Sequence, residues 1–324
     1  MGKILVFGGA GYIGSHTCKA LTCEGFQPVV FDDLSEGHRD FVKWGPLVKA
    51  DIRHPEAVRS AIAEHRPEAI IHFAALTSVP DSVSDPGRYY ATNVSGSLNI
   101  IAAAGEAGNI PVVFSSSCAV YGMPEEVPIS ETCPTAPITP YGRGKLMVEE
   151  ILADFDAAHG LRSVALRYFN ACGADPQGEI GESHRNETHL IPRAILAALG
   201  RIGDFRVFGD DYDTPDGSAI RDYIHVSDLA DAHVRACRHL LNGGKSARVN
   251  VGSGRGFSVF EIIRAVEAAG AGRVPLKLAP RRAGDPPRLV ADTGMAKQLL
   301  GFSARHSDLE TVIETALAWH RKTG

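Results

Sequence analysis

The chain has 324 residues, 44% of them hydrophobic and 22% charged, so it can bury a sizeable core and carries no disordered or low-complexity signature. A formal net charge of -5 with no long basic run leaves no electrostatic footprint for nucleic acid or an anionic membrane surface. No stretch approaches the roughly 18 uninterrupted apolar residues of a membrane span, and the six cysteines, Cys18, Cys23, Cys118, Cys133, Cys172 and Cys237, lack C-x-x-C spacing. Neither a zinc cage nor a disulfide framework is therefore expected, no metal site is assigned, and a reduced, cytoplasmic chain with two lobes is the starting expectation.

The N-terminal "KILVFGGAGYIG" reads as a strand and a tight turn; its glycines and the lack of an A-x-A-like cleavage site argue against a secretion signal. Gly8, Gly11 and Gly14 follow the strand directly and a helix continues from them, the pattern in which backbone N–H groups face a pyrophosphate, with Tyr12 and Ile13 inside the turn. The second apolar run, "PVVFDD", ends in Asp32, 18 residues after Gly14, where a carboxylate accepts from adenosine ribose hydroxyls. Asp33 beside it adds a second negative charge, so NAD is favoured over its 2'-phosphorylated relative.

"KADIR" offers Asp51 and Ile52 as adenine contacts, and "HFAAL" offers Phe73, Ala74 and Ala75 as a cofactor ledge. Asn93 sits on the inner side of a helical segment, where a buried amide needs partners and can tie strand-end loops together. The fourth apolar run ends "VVFSSS", placing Ser115, Ser116 and Ser117 beyond a strand. Pro140 then opens a helix in which Tyr141 and Lys145, at i and i+4, project from one face. A phenol titrates near pH 10, so it serves as a base only if cations such as Lys145 and a nicotinamide ring lower that value. With Ser117 as a hydrogen-bond relay, the three residues are candidate catalytic groups.

Short, nearly all-apolar runs alternating with amphipathic segments predict an α/β architecture: a Rossmann-like doubly wound parallel sheet, followed by a smaller α/β lobe for substrate. The expected boundaries are 1–168 for the dinucleotide domain, with a return to it around 222–251, and 169–221 plus 252–324 for the second lobe. His225, beside Asp222 and Asp228, lacks the spacing of a metal site and reads as structural.

"GGAGYIGSH", "SSSCAVYG", "PYGRGK", "RYFNACGA", "IRDYIHV" and "RRAGDPP" together make the chain similar to the extended short-chain dehydrogenase/reductase superfamily, and within it to the epimerases of UDP-sugars, from Lys3 to about Trp319. The resemblance implies NAD-dependent C4 epimerisation that interconverts UDP-glucose and UDP-galactose, with a 4-keto sugar turning over in the cleft. It implies that Tyr168 and Phe169 border the nicotinamide and that Lys145 also bonds its ribose. It places Asn170, His189, Leu190, Arg206, Phe208, Arg221, Tyr223, Val259, Arg282 and Asp285 around the UDP-sugar, and Leu289 where family members limit the sugar substituent. Thr77 stands where family members often carry a lysine near the cofactor phosphates. A UDP-xylose/UDP-arabinose 4-epimerase is the near alternative. A nucleotide-sugar 4,6-dehydratase fits less well, because Cys118 and Ala119, not Asp-Glu, follow Ser117; a non-catalytic cofactor-binding sensor would not need all three catalytic groups. The resemblance also implies a homodimer through two helices per subunit, and the apolar residues Leu146, Ile151, Leu152 and Phe155 on one of them are the candidate surface.

Overall fold

The computed structural model describes residues 2–282 and 284–323. Its larger layer is a seven-stranded sheet. Strands β1 (Lys3–Phe7), β2 (Gln27–Asp32), β3 (Leu47–Lys49), β4 (Ala69–His72), β5 (Val112–Ser115) and β6 (Ser163–Tyr168) are joined by Ala247–Val251, in the order Ala247–Val251, β6, β5, β4, β1, β2, β3. Every pairing is parallel. Both faces are covered, which explains the continuous apolar runs: Ile4 and Val6 of β1 pack with one core, Leu5 and Phe7 with the other. The first core includes residues of the helices Tyr12–Cys23 and Val226–Leu241; the second includes residues of Pro55–His65, Gly96–Glu106 and Pro140–His159.

Five of these strands follow directly from the alternation of apolar runs. β3 does not, because "LVK" is short and none of its residues is buried. Ala247–Val251 pairs with β6 after the chain has left the sheet for some eighty residues, so the late segment closes one edge. Because the strands are parallel, Phe7, His72, Ser115 and Tyr168 end at one rim of the sheet. The strand order reverses between β1 and β4, which opens a crevice there.

The smaller layer combines a four-stranded sheet (Asn170–Cys172, Ile220–His225, Gly256–Ser258, Arg288–Leu289) with a parallel pair, Phe205–Phe208 and Leu276–Ala279. Ile191, Ile195, Phe205, Val207, Ile262 and Ile313 are buried among these strands and the helices Leu190–Ala198, Val259–Ala268 and Leu309–Lys322. The helix starts are encoded locally: Ser258 and Glu261 form a capping box, and the Thr139 hydroxyl accepts from Gly142 N at 3.2 Å ahead of Pro140.

Candidate active site

The turn after β1 is shaped by contacts that forbid side chains. A Cβ on Gly14 would lie 2.1 Å from the Gly8 carbonyl oxygen, whereas one on Gly11 would meet nothing closer than 3.4 Å. Gly14 is thus required by helix–strand packing, and Gly11 is the position where the backbone leaves room for a ligand to approach. Gly11 caps the Tyr12–Cys23 helix with no side-chain hydrogen bond, and the first turn holds no acid, so no side chain of the cap competes for its N–H donors. Asp32 accepts from Ala10 N (3.0 Å) and Leu34 N (2.9 Å), which fixes the β2 end against the turn. Burial raises the Asp32 pKa, and those two N–H donors oppose the rise.

Around this turn the expected residues take distinct roles. Tyr12 donates to the Gly173 carbonyl (2.6 Å), tying the turn to the loop after Asn170–Cys172, and Ile13 packs on the first core. Asp33 is engaged by Ser35 N and Oγ, and Asp51 by the Arg53 guanidinium. Ile52 is buried, its side chain fills the space over Gly96, and its carbonyl accepts from Asn99 Nδ2 at 2.9 Å. Phe73 packs against His233 with ring centres 4.6 Å apart and planes tilted by 44°, while Ala74 and Ala75 remain half-buried beside it. Asn93 bonds Leu76 through both side-chain atoms (2.8 and 2.9 Å), so it ties one strand-end loop, the one after β4, to the π-turn Ala91–Ser95.

The β5 end and the Pro140–His159 helix bring the chemical groups together. The Lys145 ammonium donates to the Ser115 carbonyl at 2.7 Å and lies 5.8 Å from the Tyr141 ring centre; Lys145 is 3% and Tyr141 8% exposed. Ser115 Oγ and the Tyr168 hydroxyl are 2.7 Å apart, and Ser117 is the first residue of the turn beyond. Burial pushes the Tyr141 phenol above its usual value, Tyr168 adds to this, and a hydrogen bond with Ser117 works against it. Burial brings the Lys145 ammonium down to about 7, with Glu149 opposing. The protein alone therefore holds a neutral phenol beside a cation poised near neutrality.

Across the cleft the lobe residues meet in pairs. Asn170 donates to the Asp222 carbonyl (2.9 Å), and its strand pairs with Tyr223. Arg221 forms an ion pair with Asp285, and Leu289 sits in register with Arg221 while packing on the cluster that contains Phe169, Val120 and Tyr121. The Arg282 guanidinium lies 4.0 Å over the Phe208 ring. Arg206 shares the outer face of the same strand with Phe208 but is bound to Asp204, and Val259 packs into the lobe core. Leu190 packs against that core as well, while His189 contacts Glu182 at 2.5 Å. His225 is a buried capping residue: its ring accepts from Ser227 N and contacts Thr315.

Two constellations lay outside the sequence reading. Glu149, one turn past Lys145, receives Ser116 Oγ (2.5 Å) and the Arg167 guanidinium (2.6 Å) in full burial; its i+4 spacing from Lys145 was the available signal. Among the described residues, Glu182, His184, Glu187 and His189 form one group whose donor atoms lie within 4.8 Å of one another, where no metal site was expected. Each imidazole Nδ1 already contacts a carboxylate, 3.1 Å for His184 and 2.5 Å for His189, so the group balances its own charge.

The family model described as "NAD dependent epimerase/dehydratase family" matches residues 4–252. The chain is 53% identical over 320 residues to a UDP-glucose 4-epimerase of Rhizobium meliloti, covering 99% of this chain and 97% of that protein. It superposes on the crystal structure of the UDP-glucose 4-epimerase from Brucella ovis in complex with NAD with a TM-score of 0.96, at 51% identity and 98% coverage of both chains. A Stenotrophomonas maltophila UDP-glucose-4-epimerase with bound NAD and formylated UDP-arabinopyranose gives a TM-score of 0.95 at 41% identity, covering 99% of this chain and 98% of that one.

Proposed function

Since the chain belongs to the NAD dependent epimerase/dehydratase family, we propose that its cleft inverts C4 of a UDP-sugar, interconverting UDP-glucose and UDP-galactose. It is an NAD-dependent isomerase of the UDP-sugar 4-epimerase type. The observation that carries the reading is the meeting of Tyr141, Lys145 and Ser117 at the rim of the sheet beside an uncapped glycine turn.

The residues present fit the dinucleotide. Gly11 leaves room at a helix N-terminus with free donors, Asp32 stands at the β2 end, and Lys145 is held beside Ser115. When bound, NAD+ supplies the hydride acceptor for C4 and a positive charge beside the phenol. In this reading Tyr141, as phenolate, takes the proton of the 4-hydroxyl while Ser117 holds the same oxygen, and Tyr141 gives that proton back to the 4-oxygen after the 4-keto sugar has turned its opposite face toward the hydride donor. Lys145 lowers the cost of the phenolate, because a buried cation favours the ionised form of a neighbouring acid. Arg221 and Arg282 hold the diphosphate, for which a guanidinium fork is suited, with Phe208 against the uracil and Asp285 on its ribose. The lobe boundaries 169–221 and 252–324, with 222–251 returning to the sheet, belong to the same proposal.

Purified protein incubated with UDP-glucose and no added NAD is expected to yield UDP-galactose, since the cofactor is regenerated in each cycle. Release of water would instead indicate a 4,6-dehydratase, and no conversion at all would overturn the reading. The arabinopyranose ligand of one structural neighbour makes UDP-xylose the second substrate to test.

The helix residues expected to form a dimer surface are largely spent inside the subunit. Leu152 is buried, Ile151 and Phe155 pack on the second core, and Leu146 packs near Phe169. What remains outward is Leu98 and Met147, with Val79 and Val83, the last 62% exposed. We propose that these cover a two-fold contact with a second copy. Light scattering on a Val83→Asp/Leu98→Asp variant is expected to show a monomer. No helix among the described residues is long and apolar enough to cross a membrane. A cytoplasmic setting, where the six free cysteines stay reduced, belongs to the same proposal.

A further inference from the structure

We propose that Glu149, held by Arg167, is a positioning residue that sets the Tyr141–Lys145 pair against the strand-end serines. The proposal rests on the reading of Tyr141 as base and Lys145 as its cation.

Glu149 lies on the same helix as Tyr141 and Lys145, two turns and one turn further on, and its carboxylate points back to the sheet. It receives Ser116 Oγ at 2.5 Å. Ser116 is flanked by Ser115, whose carbonyl takes the Lys145 ammonium, and by Ser117, so Glu149 and Lys145 together fix two adjacent strand-end serines to the catalytic helix, with Ser117 next in the chain. The carboxylate is itself fixed from β6 by Arg167, through Nε (3.0 and 3.2 Å) and Nη2 (2.6 Å). Arg167 Nη1 donates to the Tyr121 hydroxyl (2.9 Å), which donates to Asn250 (2.6 Å) on the edge strand. Asn250 then donates to the Ile129 carbonyl (2.8 Å), and Ile129 pairs with the segment that follows Leu289. A chain of buried, satisfied polar groups thus runs from the catalytic helix to the rim of the substrate lobe.

A purely structural ion pair would hold the helix to the sheet; Glu149 also places a negative charge one turn from Lys145 on the same helix. Among the described residues it is the anion that faces Lys145. The other titratable groups around Lys145 are Tyr141 on its own helix, His72 of β4 and His233 of the Val226–Leu241 helix, and burial keeps both histidines neutral, at about 3 and about 4. Around the carboxylate stand Arg167 and, 3.3 Å away and half-exposed, Arg248. Glu131 faces the far end of the network, accepting from Asn250 N.

Removing this anion lets both protons of the Tyr141–Lys145 pair leave at lower pH, since a nearby negative charge raises every pKa it faces. It also favours the neutral-lysine, neutral-phenol form over the ammonium–phenolate form. Glu149→Gln is therefore expected to move the whole pH–kcat profile to lower pH and to lower its maximum about tenfold or more, with KM for the UDP-sugar within about threefold. Glu149→Asp, which keeps the charge, should return the profile toward the wild-type position. Circular dichroism melts and the amount of NAD co-purified keep folding apart from catalysis. An unshifted pH profile in a folded, NAD-loaded Glu149→Gln protein overturns the proposal. If Tyr141→Phe retains full activity, the reading of the base has failed instead; a dead Tyr141→Phe with an unshifted Glu149→Gln indicts the positioning role alone.

Discussion

The proposed dinucleotide end of the cleft is mainly backbone: a helix start without a side-chain cap, a glycine with clearance, and strand ends delivered side by side by a parallel sheet. The proposed substrate side is instead a set of side chains that meet over long sequence distances, Arg221 with Asp285 and Arg282 with Phe208. The difference has a physical root. A backbone site is fixed once the strand-turn-helix unit forms, whereas a side-chain site needs the whole lobe packed before its members are adjacent. Substitutions should therefore divide the two ends cleanly.

The largest effect falls where the two ends meet. Tyr141→Phe removes the base without disturbing either recognition surface, and turnover should fall about 10³-fold while NAD stays bound, as read by product formation and by cofactor released on denaturation. Loss of NAD along with activity would blur the comparison. Next come the glycines. Gly14→Ala drives a Cβ into the Gly8 carbonyl and should abolish soluble protein or cofactor together, while Gly11→Ala should fold normally and release NAD on gel filtration. Equal behaviour of the two would contradict the assignment of Gly11 to ligand clearance.

The same division governs what was legible in the sequence. The meeting of Gly8, Gly11, Gly14 and Asp32 at one turn could be read because it depends on local spacing along one βα unit. Tyr141 and Lys145 could be read because i, i+4 positions share a helix face. Arg221 and Asp285 came only through resemblance: each stands in a short strand or loop, and no periodicity links residues 64 apart. β3 escaped because it has no buried residue, and the strand Ala247–Val251 falls inside the expected return at 222–251 while its place beside β6 was not legible. Glu149 was passed over for a different reason. Carboxylates at i+4 from a lysine are common on wet helix faces, and only its burial with Arg167 distinguishes it.

On the lobe side, Arg282→Ala should raise KM for the UDP-sugar about tenfold with kcat nearly unchanged, because a charge-assisted phosphate contact serves ground and transition state alike. Its removal also uncovers Phe208, so the loss for a uracil-free sugar phosphate should be smaller. A fall in kcat at constant KM would mean that the lobe contributes to the chemistry and that the two ends are less separate than the geometry implies.

The smallest effect is one of pH, and its sign reverses between the two ends. Burial holds His16 at about 4, His72 at about 3 and His233 at about 4, all packed with the large sheet. The unfolded chain takes up these protons near pH 6.5 and the folded chain does not, so this part loses stability as pH falls from 6.5 toward 4, by roughly 1 kcal/mol per pH unit for each histidine. His184 and His189 behave oppositely. Burial alone would lower them, but Glu182 and Glu187 outweigh it and lift His189 to about 9, with His184 raised as well. Their contribution is complete below pH 6.5 and disappears as pH rises through about 9, and solvent screening keeps it small because His189 is exposed. Melting curves should thus be less acid-sensitive in His16→Gln than in the wild type. Hydrogen exchange of the 182–190 segment, corrected for intrinsic rates, should quicken between pH 6.5 and 9 while strand β1 stays protected. Acid loosening of both regions together would show that the two ends do not open independently.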